Sequence, residues 1–189
     1  MAGVAREYFD RLYAADPDPW GFESRWYERR KYDLTLAALP DERYRSGFEP
    51  GCSVGVLSER LAERCDRLLV CDHMPVAIER AASRFRSRPQ VRVERLRIPE
   101  GWPDETFDLI VLSEVVYYFD QDDAEQIREL TLRSALPGAT VVAVHWRGET
   151  DYPLTGDETH ELLGRDAALV PVARHLERDF RIDVWRRAP

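Results

Sequence analysis

The sequence predicts an α/β fold built on a mostly parallel sheet, with helices on both faces. Three observations carry that prediction. From Phe48 onward, short apolar runs alternate with amphipathic helical stretches, the pattern of right-handed βαβ units. The run FDLIVLSEVV (107–116) is almost continuous in Val, Leu and Ile, as a central strand covered on both faces requires. The tail ALVPVARHLERDFRIDVWRR (168–187) reads as two strands joined by a tight turn near Arg178 and Asp179, an antiparallel hairpin for the sheet edge.

The elements follow in chain order. Residues 4–14 place Val4, Tyr8 and Leu12 near helical spacing. Asp16 to Phe22 (DPDPWGF) is a loop by its Pro and Gly content. Residues 25–39 form a second helix, stopped by Pro40. Strands are expected ending at Phe48 and over 68–72, 91–98, 107–116 and 139–146, with helices over 54–65, 75–87 and 121–135. A short helix containing His160 takes Thr155 or Asp157 as its cap. No linker interrupts 45–189, so the chain reads as one domain: a helical extension or lid, 1–44, on an α/β core, 45–189.

Composition narrows the function classes. Among 189 residues, 35 are acidic and 27 basic, a net charge of −8. Such a chain is poorly matched to a phosphate backbone, so no nucleic-acid partner is expected. The three cysteines, Cys52, Cys65 and Cys71, form no CxxC motif, which disfavours a disulfide scaffold and a metal module. Arg6, Glu7, Asp10 and Arg11 stand where a signal peptide needs an apolar run. Apolar stretches reach only strand length, so no membrane span is expected. A cytoplasmic, reducing compartment is the expectation; monomer and homodimer stay equally open.

The first candidate for chemistry is FEPGCSVG (48–55), where a strand ends, a turn with Gly51 and Gly55 follows, and a helix opens. Glycines let a ligand approach the backbone, and a helix N-terminus offers free N–H groups. The spacing is GxxxG, and no Lys-Ser/Thr pair follows. That weighs against a dinucleotide fingerprint and a P-loop. Asp72 ends the next strand, 23 positions after Glu49. A carboxylate placed there can accept from both hydroxyls of a ribose, or it can simply cap the helix starting near Pro75.

Together these motifs resemble the class I S-adenosylmethionine (SAM) methyltransferases and, among them, the NodS-like N-methyltransferases. The pieces that carry the resemblance are DPW (18–20), WYERRKY (26–32), residues 48–81 and FDLIVLSEVVYYF (107–119). The resemblance implies a Rossmann-like, seven-stranded sheet with an antiparallel last strand. It implies SAM as cofactor and S-adenosylhomocysteine (SAH) as product. It places Glu49, Gly51, Cys52 and Gly55 around the methionine and ribose, Asp72 on the diol, and His73 and Met74 against adenine. The family's usual acid after the third strand is here Arg97, which moves the adenine contact to a backbone group near Ile98 or to another side chain.

Ser113, Glu114, Tyr117 and Tyr118 close the fourth strand, where an open sheet of this kind holds its ligand. Glu114 could accept a proton from, or orient, an acceptor amine or hydroxyl, or it could cap the next helix or pair with an arginine. Tyr117 and Tyr118 offer aromatic faces suited to a cation. His145 and Trp146 end the fifth strand, and a histidine there is a candidate base or a structural residue. His160 is placed on a roof over the substrate or on the surface, and His175 is read as structural. Trp20, Phe22, Trp26 and Tyr27 could close a lid over the cofactor or pack the extension. Lys31, the only lysine among 27 basic residues, is assigned to the cofactor carboxylate, with chance as the rival.

The expected function is SAM-dependent methylation of a small-molecule acceptor, through His145, Glu114 and Tyr117. The resemblance suggests an amine on a sugar or oligosaccharide. A hydroxyl acceptor, or a noncatalytic SAM-fold binding protein, are the alternatives.

Overall fold

A computed structural model describes residues 3–189; Met1 and Ala2 of the expected extension lie outside the described residues. The extension contains two helices, α1 (Arg6–Ala15) and α2 (Trp26–Ala38). The core then runs β1 (Gly47–Pro50), α3 (Val56–Leu61), β2 (Leu68–Asp72), α4 (Pro75–Arg84), β3 (Val91–Arg95) and β4 (Phe107–Ser113). A single 3-10 turn, Val116–Tyr118, precedes α5 (Gln121–Ser134). The chain closes with β5 (Ala135–Trp146), α6 (Gly156–Gly164), β6 (Leu169–Leu176) and β7 (Phe180–Arg187).

The seven strands form one sheet in the order β3-β2-β1-β4-β5-β7-β6. Strands β1 to β5 are parallel, and β7 runs antiparallel between β5 and β6. From β1 the chain winds outward to β3, then returns to lay β4 on the other side of β1. That reversal opens a crevice beyond the carboxyl ends of β1 and β4.

Strand β4 explains why its sequence is a continuous apolar run. Ile110 and Leu112 pack with Ile127 of α5 and Leu163 of α6 on one face. Leu109 and Val111 pack with Tyr32 of α2 and Leu57 and Leu61 of α3 on the other. All four are fully buried, which stabilises the fold by roughly 1.5–3 kcal/mol per side chain. Strand β6, at the edge, keeps Val170, Val172 and Leu176 exposed and carries Pro171 beside a register shift, where a missing N–H costs least.

Helix boundaries follow local chemistry. Gly55, at φ +81°, is the N-cap of α3, so that helix starts later than the spacing suggests. Thr155, not Asp157, caps α6: its hydroxyl accepts from the Glu158 N–H while the Glu158 carboxylate takes the Thr155 N–H, a capping box. Helix α1 buries Phe9 and Tyr13 against Val54, Met74 and Ala77, which sets the extension over the mouth of the crevice.

Candidate cofactor and acceptor site

The crevice is a cavity of about 1230 Å³. Every site residue expected from the sequence lines it except Gly55, His145 and His160, and of the four aromatics expected to close a lid, Trp26 is exposed and lies off it.

Glu49 stands at the end of β1. It is buried, and its Oε2 has no hydrogen-bond partner. Burial without a nearby countercharge pushes its carboxyl up to about 8. A buried, unpartnered carboxylate on a cavity wall is costly unless a cation meets it.

The glycine turn is built differently from the expectation of an open ligand cradle. Gly51 and Gly55 both have positive φ, +74° and +81°. A Cβ on Gly51 would stand 2.7 Å from Val115, and one on Gly55 would stand 2.9 Å from the Phe85 ring. The Gly51 and Cys52 N–H groups donate to Cys71 O. The glycines therefore serve the turn's packing, and Gly55 lies behind the cavity wall, not in it.

Asp72 does two things at once. Its Oδ2 accepts from the Ser53 N–H at 3.0 Å and its Oδ1 from the Met74 N–H at 2.9 Å. It thus pins the glycine turn and the start of α4, and each oxygen, with one such bond, retains capacity to accept another. Burial pushes its carboxyl up, against those N–H bonds. His73 sits edge-on to Phe9 at 5.4 Å, and burial lowers its basicity. Met74 and Ile98 are buried beside it. Arg97 reaches outward, 3.8 Å from Glu100.

Beyond Ser113, Glu114 takes a left-handed backbone, φ +51°. Its carboxylate is a hub: Oε1 meets Lys31 Nζ at 2.5 Å, and Oε2 accepts from Tyr117 Oη at 2.6 Å and the Trp146 N–H at 3.0 Å. Lys31 Nζ also lies 2.8 Å from Glu28 Oε2, off the line of a hydrogen bond, and 5.1 Å from the centre of the Tyr27 ring. Burial disfavours its ammonium, yet Glu114 and Glu28 hold its pKa above the ordinary value. Lys31 is thus already paired within the protein.

Aromatic faces surround this cluster. Tyr118 packs against Tyr117 at 4.6 Å and Tyr152 at 4.7 Å. Trp20 stacks on Phe22, and Trp146 is partly exposed on the wall. The extension is tied across the opening by Tyr8 Oη to Tyr152 Oη, 3.1 Å, and Tyr13 Oη to Ser53 Oγ, 2.6 Å.

His145 and His160 stand elsewhere than expected. His145 is fully buried behind the strand end; its Nε2 accepts from the Val116 N–H and its Nδ1 meets His160 Nε2. Burial lowers its pKa well below the usual histidine range. No ring nitrogen is left to face an acceptor. His160 is neither a roof nor a surface residue: it is buried in α6 against Asp183. His175 pairs with Glu177 in the edge hairpin.

Three contributors escaped the sequence reading. Glu28 was detectable as an acid three positions before Lys31 on one helix face. Tyr13 and Tyr152 carry no local signal, because their partners are 40 and 144 positions away. Among the described residues, no group of three or more His, Cys, Asp or Glu is placed to hold a metal ion, and no helix is long and apolar enough to cross a membrane.

A seven-stranded sheet of this order, with a glycine turn and an acidic strand end opening on one cavity, is the class I methyltransferase fold. The model of the nodulation protein S (NodS) family matches residues 4–136, and the chain belongs to that family. Nodulation protein S of Rhizobium tropici is 32% identical over 140 residues, covering 72% of this chain and 58% of that protein. The chain spans about half the length of the curated relatives it matches. The crystal structure of N-methyltransferase NodS from Bradyrhizobium japonicum WM9, in complex with SAH, superposes with a TM-score of 0.87 at 27% identity, covering 97% of this chain and 98% of that one. A solved protein of Pseudomonas syringae is 45% identical with a TM-score of 0.76, covering 86% of this chain and all of that one.

Proposed function

We propose that this protein is a SAM-dependent N-methyltransferase acting on a small-molecule amine, with an amino sugar or oligosaccharide as the acceptor class. The observation that carries the reading is the buried, unpartnered Glu49 carboxylate in a cavity of about 1230 Å³. It fits the ammonium of the cofactor's methionine moiety, and Asp72 beside it fits a ribose diol. Family membership and the SAH held by the Bradyrhizobium relative support the same cofactor.

When bound, SAM supplies a methyl group activated on a sulfonium. Glu49 neutralises the ammonium. Asp72 accepts from the diol without giving up the Ser53 and Met74 N–H groups. His73, Met74 and Ile98 wall the adenine, and Gly51, Cys52 and Ser113 line the space between. On the acceptor side, Glu28, Lys31 and Glu114 bring two acids and one ammonium together, an excess of one acid that favours a cationic amine. Glu114 orients that amine, with Tyr117 fixing its carboxylate. Glu28, on the cavity wall and 2.8 Å from Lys31 Nζ, is the carboxylate that takes the proton the amine must lose. Trp20, Tyr118 and Trp146 offer faces for the acceptor to stack on. Most of the rate comes from positioning and exclusion of water.

The test is transfer of a labelled methyl from SAM to glucosamine oligomers, beside glucose oligomers that carry only hydroxyls. Transfer to the amine alone is expected. Transfer to hydroxyls would establish the O-methyl alternative, and absence of SAH binding by calorimetry would leave a noncatalytic fold.

A further inference from the structure

The turn carrying Glu114 and Tyr117 is held by the end of β5 through the Glu114 N–H, which donates to Val144 O at 2.8 Å, and through two bonds of opposite direction that involve side chains. The Trp146 N–H donates to Glu114 Oε2 at 3.0 Å. The Val116 N–H donates to His145 Nε2 at 3.2 Å. Glu114 needs such support, since a left-handed backbone costs a side-chain-bearing residue on the order of 1–3 kcal/mol.

The second bond fixes where the protons lie. Nε2 of His145 must carry a lone pair, so the neutral ring holds its proton on Nδ1. That Nδ1 is 3.2 Å from His160 Nε2, which must therefore accept. His160 then carries its proton on Nδ1, 2.8 Å from Asp183 Oδ2, which can only accept. Asp183 is kept ionised: against the push of burial, bonds from His160 and Arg174 hold its carboxyl down to about 2. Arg181 donates to the same Oδ2 at 2.7 Å and Arg174 to Oδ1 at 2.6 Å. His145, His160 and Asp183 are 0%, 1% and 2% exposed, so water offers no alternative partner. One tautomer of each ring satisfies every link; reversing either sets two donors face to face.

We propose that Asp183, His160 and His145 form a tautomer relay that presents a lone pair to the Val116 N–H, and so holds Glu114 and Tyr117 in the geometry that meets the acceptor. His145 is a positioning residue and transfers no proton to or from the acceptor. The catalytic consequence rests on the methyl-transfer reading; the relay itself does not.

Two variants and two readouts test this. His145→Gln places an amide oxygen near the Nε2 position and has no titratable group. His145→Leu keeps bulk and removes the lone pair. Nitrogen-15 NMR of the full chain without ligand should show His145 and His160 both as neutral Nδ1–H tautomers at pH 7. Methyl transfer from SAM to a glucosamine oligomer should fall by at least about tenfold in kcat for His145→Leu, with SAH affinity changed by less than about twofold. His145→Gln should recover most of that kcat. An Nε2–H or protonated His145 at pH 7 overturns the relay. So does a folded His145→Gln protein as inactive as His145→Leu, the mark of a base, or full activity in His145→Leu. If the wild type methylates no glucosamine oligomer, the substrate reading fails on its own and the NMR result still decides the relay.

Discussion

Lys31 Nζ stands 2.5 Å from Glu114 Oε1, joining helix α2 to the end of β4 across 83 positions of the chain. The pair is almost wholly enclosed, with Glu28 on its other side. Removing one partner of a buried ion pair costs about 3–5 kcal/mol, because the remaining charge is stranded. Lys31→Met should therefore lower the melting temperature markedly. Burial already raises the Glu28 carboxyl, and the ammonium pulls it back down; without Lys31 it rises further. A carboxyl raised in the folded state loses stability as pH climbs through its folded pKa. The deficit of Lys31→Met relative to wild type should thus be larger at pH 8 than at pH 5. Equal deficits in thermal scans at both values would mean that Lys31 does not neutralise this cluster.

Glu49 makes ligand binding proton-linked. With its carboxyl raised to about 8 by burial, it is protonated in the free protein at pH 6.5. Pairing with a ligand ammonium requires the carboxylate, so SAH binding should release close to one proton at pH 6.5. Affinity should rise with pH toward 8. Calorimetry in buffers of different ionisation enthalpy reads that number directly. Glu49→Gln should bind SAH at least about tenfold more weakly, from a lost charge-assisted bond, and release no proton at this site. Proton release unchanged in Glu49→Gln would sink the assignment.

The contrast between Glu49 and His145 shows what a sequence can convey here. Strands β2 and β4 are legible because each is a short apolar run, β1 is legible from the glycine turn that follows Phe48 and Glu49, and an acid at a strand end in a parallel sheet faces the ligand crevice. Which face a strand-end residue takes is another matter. Ala143 and Val144 already lie in opposite clusters, and His145 follows Ala143 toward α6 by the two-residue alternation. That register is set by pairing with β7, and pairing is not written locally. Gly51 and Gly55 were legible as turn residues, whereas their neighbours Val115 and Phe85 come from distant elements. Lys31 was conspicuous by its rarity, but its partner Glu114 becomes a neighbour only when α2 docks.

Asp72 should be sensitive in both binding and stability. Asp72→Ala removes acceptors for a ribose diol, each charge-assisted bond worth roughly 1.5–3 kcal/mol. SAH affinity should fall at least about tenfold. The same change strands the Ser53 and Met74 N–H groups, so the melting temperature should fall as well. Asp72→Asn retains one carbonyl oxygen and should be intermediate in both. Unchanged SAH affinity by calorimetry in Asp72→Ala would exclude the ribose role and leave Asp72 as a clamp on the turn.

The extension works as a lid only if its ties across the opening slow ligand escape. The Tyr8–Tyr152 hydroxyl pair, at 3.1 Å, is the tie most open to a clean test, because Tyr→Phe removes one oxygen and keeps the ring packing. A neutral hydrogen bond contributes about 0.5–1.5 kcal/mol, which corresponds to a few-fold change in rate. Tyr8→Phe and Tyr152→Phe should each speed SAH dissociation by that amount, measured by stopped-flow displacement. The double variant should be no faster than either single one, since both remove the same bond; such non-additivity marks a direct interaction. Melting temperatures should shift by no more than about 1–6 °C relative to the wild type, the range that this bond energy gives for a chain of this size. Dissociation rates equal to wild type in all three variants would show that α1 packs on the core without gating the cavity.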